Sequence, residues 1–116
     1  MIAVRAGAET QHVVNADILG RLGEHGYVVN VSRGSVIDEK ALVAALTDRT
    51  IAGAGLDVFE KEPHAPDALT ALPNVVFAPH IGGHTLESHV AMQNCVLANL
   101  TAFFAGKPLP YGVKSA

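Results

Sequence analysis

Arg33, Asp57, Glu62 and His80 are the side chains whose types and placement could work together on a ligand, each following an apolar run or its loop. A guanidinium is a planar cation that stays charged and matches a carboxylate with two parallel hydrogen bonds. An imidazole titrates near neutral pH and can give or take a proton. A carboxylate beside it favours the imidazolium and raises its pKa. Together these groups suit the reduction of a 2-keto acid. Arg33 would hold the carboxylate and polarise the carbonyl, His80 would protonate the developing alkoxide, and Glu62 would support His80. The hydride must come from a separate donor. Gly34 would let backbone and ligand approach closely.

Each residue taken singly has a plainer reading. Arg33 after a strand would serve equally as a surface ion-pair residue. Glu62 lies in the charged run Glu60-Lys61-Glu62-Pro63, where a solvated acid is the ordinary case. Asp57 at a strand end fits ligand binding and an Asx turn equally well. His80 stands between Pro79 and Ile81-Gly82-Gly83, an unusual setting for a core histidine. His80, His84 and His89 suggest a metal, but Gly82-Gly83 interrupts the helix that would align the first two. His84 and His89 would point about 140° apart on a helix of ~3.6 residues per turn. No cysteine or carboxylate completes a ligand spacing, so no metal is expected.

The elements that must carry these residues follow from periodicity. Ile2-Ala3-Val4 reads as a short strand, Tyr27–Val31 as the clearest β-branched one, Ile51–Val58 as a buried strand with glycines, and Asn74–Ala78 as the last. Asn15, Asp38 and Thr85 are good helix N-caps, each before leucines and alanines at helical spacing. The segment from Glu60 to Pro73 reads as a Pro-containing loop. Strands alternating with helices place their loops at the carboxyl edge of a parallel sheet, where such folds bind ligands. Arg33, Asp57 with Glu62, and His80 lie in those loops.

Composition narrows the class. The 116 residues suffice for one domain, and 49% hydrophobic content with 16% charged residues suits a folded core. A net charge of −3 with scattered basic residues argues against nucleic-acid binding. No apolar run reaches the ~20 residues of a membrane span, and the start does not resemble a signal peptide. Cys95 is the single cysteine, which excludes an internal disulfide and fits a reducing cytoplasm.

Three segments carry a resemblance. Val29-Asn30-Val31-Ser32-Arg33-Gly34-Ser35-Val36-Ile37-Asp38 resembles the arginine motif of the D-isomer-specific 2-hydroxyacid dehydrogenases. Gly53–Pro63 is similar to their glutamate motif, and Asn74–Gly83 to their histidine motif, in the same order and with similar spacing. The resemblance covers essentially the whole chain. It implies an α/β fold: a partial Rossmann-like, doubly wound parallel sheet with flanking helices, lacking the N-terminal βαβ half. Residues 1–106 would form the partial NAD(P)-binding domain and 107–116 a C-terminal tail.

The resemblance also implies roles: Arg33, Glu62 and His80 as catalytic, with NAD(P)H as cofactor and a small 2-keto or 2-hydroxy acid as substrate. Asp57 would hydrogen-bond the nicotinamide side, and Ser32, Arg33, His80, Gly82 and Gly83 would line the same pocket. Thr10 matches a threonine near the cofactor, although the family's usual proline is missing near Ala6. The ending Phe103–Pro110 leans towards glyoxylate/hydroxypyruvate reductases. The family dimerises through this domain, which implies a homodimer or association with a full-length relative.

No Gly-x-Gly-x-x-Gly occurs, and Gly20, Gly23 and Gly26 do not follow a strand to open a helix. The chain is therefore expected to be half of one lobe of a two-lobed enzyme, inactive alone. The alternatives are a non-catalytic module that binds a full-length relative, or a gene remnant.

Overall fold

The computed structural model describes residues 1–113, which form two compact units, Met1–Gly82 and a second beginning at Gly83. In the first, helix α1 (Ala16–Leu22) leads to strand β1 (Tyr27–Asn30), then α2 (Glu39–Thr47), β2 (Gly53–Leu56), the short α3 (Asp67–Thr70) and β3 (Val75–Phe77). The strands form a parallel sheet in the order β1-β2-β3, with Val28 opposite Ala54 and Ala54 opposite Val75.

The helices begin where the sequence places their caps. Asn15 Oδ1 accepts the amides of Asp17 and Ile18, and Asp38 Oδ1 those of Lys40 and Ala41. Each cap satisfies amides that the first turn leaves without intrahelical partners. Leu19 of α1, Leu42, Ala45 and Leu46 of α2, and Leu69 of α3 then bury against Val28, Ala54 and Leu56. Side chains alternate across a strand, so this packing covers one face of the sheet. Tyr27, Val29 and Val76 lie on the other, and all three are exposed.

Two elements differ from expectation. Ile2-Ala3-Val4 forms no strand: Ile2 makes a single parallel bridge to Asn30, through its own amide to Val29 O and its carbonyl to Val31 N. The segment Glu60–Pro73 contains α3, a helical turn that buries Leu69 completely. One turn gives too little periodicity to read, and its stability comes from that buried leucine rather than from propensity.

The second unit is helix α4 (Leu86–Phe104) with the segment after it. Thr85 and Ser88 cap it reciprocally, each hydroxyl accepting the other's amide at 3.1 Å. Gly106, at φ +63°, ends it. The following turn returns to the helix, where Asn99 exchanges two hydrogen bonds with the Tyr111 backbone. Part of the expected tail, residues 114–116, lies outside the described residues. No described helix is long and apolar enough to cross a membrane.

Candidate active site

The loop after β1 is shaped by a buried asparagine. Asn30, 1% exposed, accepts the Ser32 amide at 3.0 Å and the Ser32 hydroxyl at 2.8 Å through Oδ1, and donates Nδ2 to Arg33 O at 2.9 Å. Three bonds from one buried amide turn the chain sharply and leave Arg33 exposed at the sheet's carboxyl edge. Arg33 Nη1 donates to Ser32 O at 2.6 Å. A 3-10 turn, Gly34–Val36, follows.

Gly34 lies directly under the loop after β2. A Cβ there would stand 1.9 Å from the Phe59 carbonyl carbon and 2.3 Å from the Glu60 nitrogen, so only glycine fits this approach. The loop therefore rests on the Arg33 turn, and Glu62 is carried with it. Glu62 Oε1 accepts the Phe59 amide at 3.1 Å, and Oε2 lies 2.8 Å from Nδ1 of His80. Those two bonds, the one with His80 first, hold the Glu62 carboxyl below the usual glutamate range. Arg33 adds a weaker pull in the same direction.

His80 is held from behind by Asp57. This carboxylate, 6% exposed at the end of β2, accepts the Ile81 amide at 2.8 Å through Oδ1 and the Gly82 amide at 2.7 Å through Oδ2. Two charge-assisted bonds fix the loop while His80 adopts φ +56°, which non-glycine residues seldom do. Because Glu62 accepts from Nδ1, the nitrogen placed for exchange with a ligand is Nε2.

Arg33, Glu62 and His80 thus line one open cleft of about 380 Å³, with Ala6, Gly34 and Phe59. Ser32 and Arg33 border an adjoining hollow of about 310 Å³ with Val4, Arg5 and Ala6. Asp57 borders an apolar hollow of about 170 Å³ on the bare sheet face, with Val29, Val31, Val76 and Phe77. Gly55 has no side chain to fill that hollow. Thr10 bonds within its own loop, its hydroxyl meeting the Arg5 and Gly7 carbonyls and the Gly7 amide. Gly82 reaches Asp57 through its amide, whereas Gly83 begins the second unit.

Asn30, Glu39, Glu60 and His12 also shape these loops, although local pattern does not mark them as site residues. An asparagine in the run Val28-Val29-Asn30-Val31 is the one signal that could have flagged Asn30. The others act across the fold. A hollow of about 410 Å³ lies beside Glu60, lined also by Glu39, Lys40, Val43, Lys61 and Pro66. Among the described residues no three His, Cys, Asp or Glu side chains gather as a metal site.

Residues 1–82 match the family described as D-isomer specific 2-hydroxyacid dehydrogenase, NAD binding domain. A hydroxyphenylpyruvate reductase of Plectranthus scutellarioides is 44% identical over 109 residues, 94% of this chain and 35% of its own. The crystal structure of an NADPH-dependent glyoxylate/hydroxypyruvate reductase from Sinorhizobium meliloti, in complex with NADP and malonate, superposes with TM-score 0.82. It is 50% identical, over 87% of this chain and 32% of that one. A 2-hydroxyacid dehydrogenase from Ketogulonicigenium vulgare gives TM-score 0.86 at 43% identity, over 98% of this chain and 35% of that one. The chain spans about a third of the length of these relatives. With the parallel sheet, the motif order and this agreement together, the chain belongs to the D-isomer-specific 2-hydroxyacid dehydrogenases and carries part of their Rossmann-type NAD-binding domain.

Proposed function

We propose that this chain supplies the carboxylate-binding and acid–base half of a reductase for small 2-keto acids of the glyoxylate or hydroxypyruvate type. The carrying observation is the Glu62–His80 pair at 2.8 Å in the same cleft as Arg33. Arg33 binds the substrate carboxylate with its fork and draws electron density from the keto oxygen. The doubly protonated His80 ring donates from Nε2 to that oxygen as it becomes an alkoxide, while Glu62 steadies the charge from Nδ1. In the reverse direction neutral Nε2 takes the hydroxyl proton.

The cofactor is NAD(P)H, which supplies the hydride to C2 when bound. The apolar hollow formed by Val29, Val31, Val76 and Phe77 beside Asp57 suits a flat nicotinamide ring, and the family resemblance adds Ser32, Arg33, His80, Gly82, Gly83 and Thr10 as the residues that would contact the cofactor. The chain has no glycine-rich loop for the pyrophosphate, whose affinity in such folds depends on that loop and a helix N-terminus. The chain by itself is therefore expected to bind cofactor weakly and to turn over little. A cytoplasmic setting is in keeping with Cys95 being the single cysteine of the chain.

Binding of oxamate, a 2-keto-acid mimic, by NMR titration of the purified chain tests the reading. Millimolar binding that is lost in Arg33→Ala and weakened in Arg33→Lys supports it. Equal binding by wild type and Arg33→Ala refutes it.

A second reading is a non-catalytic module that associates with a full-length relative or with its own copy. Met92, Val96, Leu97 and Leu100 favour it, since all four are exposed on α4 and line an apolar hollow of about 360 Å³. Sedimentation of the chain alone and mixed with a full-length reductase distinguishes this reading from a solitary monomer.

A further inference from the structure

Three contacts hold the loop that carries Glu62. Gly34 supports it from the Arg33 turn, as described above. Glu39 forms the second, from the first position of α2, where its Oε1 accepts the Glu60 amide at 2.8 Å. His12 forms the third, with Nε2 paired to the Glu60 carboxylate. The His12 amide bonds in turn to Ser35 O at 2.8 Å, inside the turn that follows Arg33. Glu60 is thus tied to α2 by its backbone and to the Arg33 turn by its side chain.

Helix capping does not account for Glu39, because Asp38 already satisfies the amides of Lys40 and Ala41. Nor is its place a comfortable one for a carboxylate. Burial raises the Glu39 carboxyl above the usual range and the Glu60 carboxylate adds to this, against the lowering effects of the Glu60 amide, His12 and Lys61. What the side chain does accomplish is to join a rigid helix to a loop across 21 residues of sequence. Glu62 then takes up that position directly, since its Oε1 closes the loop on the Phe59 amide.

We infer that Glu39, assisted by His12, is a positioning residue that holds the Phe59–Glu62 loop against the Arg33 turn so that Glu62 meets Nδ1 of His80. The inference rests on the reading of Glu62 and His80 as the acid–base pair. His12 acts through a partly exposed ion pair with Glu60, which water and salt screen.

The test is carried out on the chain itself, comparing Glu39→Gln, which keeps an acceptor oxygen, with Glu39→Met, which keeps only the shape. The readouts are the Glu62 carboxyl titration by carbon NMR and exchange of the Glu60 amide. In Glu39→Met the Glu62 midpoint should rise towards the ordinary glutamate value, and the Glu60 amide should exchange about tenfold faster or more. Glu39→Gln should keep both close to wild type, and His12→Gln should move them less than Glu39→Met does. A folded Glu39→Met with both readouts unchanged overturns the inference, as does a Glu39→Gln that behaves like Glu39→Met. Oxamate binding indifferent to Arg33 would sink the proposed function and leave these readouts standing, so the two readings fail separately.

Discussion

Replacing Gly34 by alanine should dislodge the loop that carries Glu62. The new methyl would lie 1.9 Å from the Phe59 carbonyl carbon, 2.1 Å from its oxygen and 2.3 Å from the Glu60 nitrogen. Carbon atoms rest at about 3.5 Å or more, so the two backbones must separate by roughly 1.6 Å. Both are backbone, and no side chain can rotate away. A shift of that size breaks the 2.8 Å bond from the Glu60 amide to Glu39 and spoils the 2.8 Å approach of Glu62 to His80. Overpacking of this kind costs about 1–3 kcal/mol. For a domain near this size that corresponds to a fall in Tm of roughly 5–15 °C. Thermal unfolding by circular dichroism measures the first effect, and the Glu62 carboxyl titration the second. A Tm within about 2 °C of wild type, with an unmoved titration, would refute the argument that the loop rests on Gly34.

Other substitutions separate the remaining forces. Gly20→Ala lies within α1 with no atom within 4 Å of the new Cβ, and should stabilise the chain by about 0.5–1 kcal/mol in urea unfolding. Asp57→Asn turns an amide donor towards one of the two part-buried backbone amides that the carboxylate accepts from; it should cost about 1–3 kcal/mol. Faster hydrogen exchange at Ile81 and Gly82 would locate that loss at the His80 loop, and unchanged exchange there would count against it. A carboxyl held below its usual range stabilises the fold above the unfolded value of about 4.3, and that stability is lost as pH falls through the folded pKa. Because the bonds from His80 and the Phe59 amide lower Glu62, Glu62→Gln should lose less stability than wild type on acidification through that window. Parallel denaturation curves at each pH would contradict the assignment.

Much of the architecture was legible in local pattern. The β-branched run Tyr27–Val31 marks β1, and Asn15, Asp38 and Thr85 are helix caps because their side chains accept amides two or three residues ahead. Such bonds span a few residues, so the sequence carries them directly. The order of the arginine, glutamate and histidine motifs likewise pointed to Arg33, Glu62 and His80, and the fold brings the three to one cleft.

What the amino-acid order determined by itself was the alternation of strand and helix and the placing of Arg33, Glu62 and His80 in the loops that follow the strands. Tertiary structure alone decided how they are aimed. Asp57 reaches amides 24 and 25 residues away, Glu39 one 21 residues away, and Gly34 meets a backbone from the next strand's loop. Neither contact type has a period, and each depends on a sheet register that places separate loops side by side. The same cause shortened the first expected strand to one bridge at Ile2 and made a helical turn around Leu69. A lone edge residue and a single turn take their structure from what they pack against, not from their neighbours in the chain.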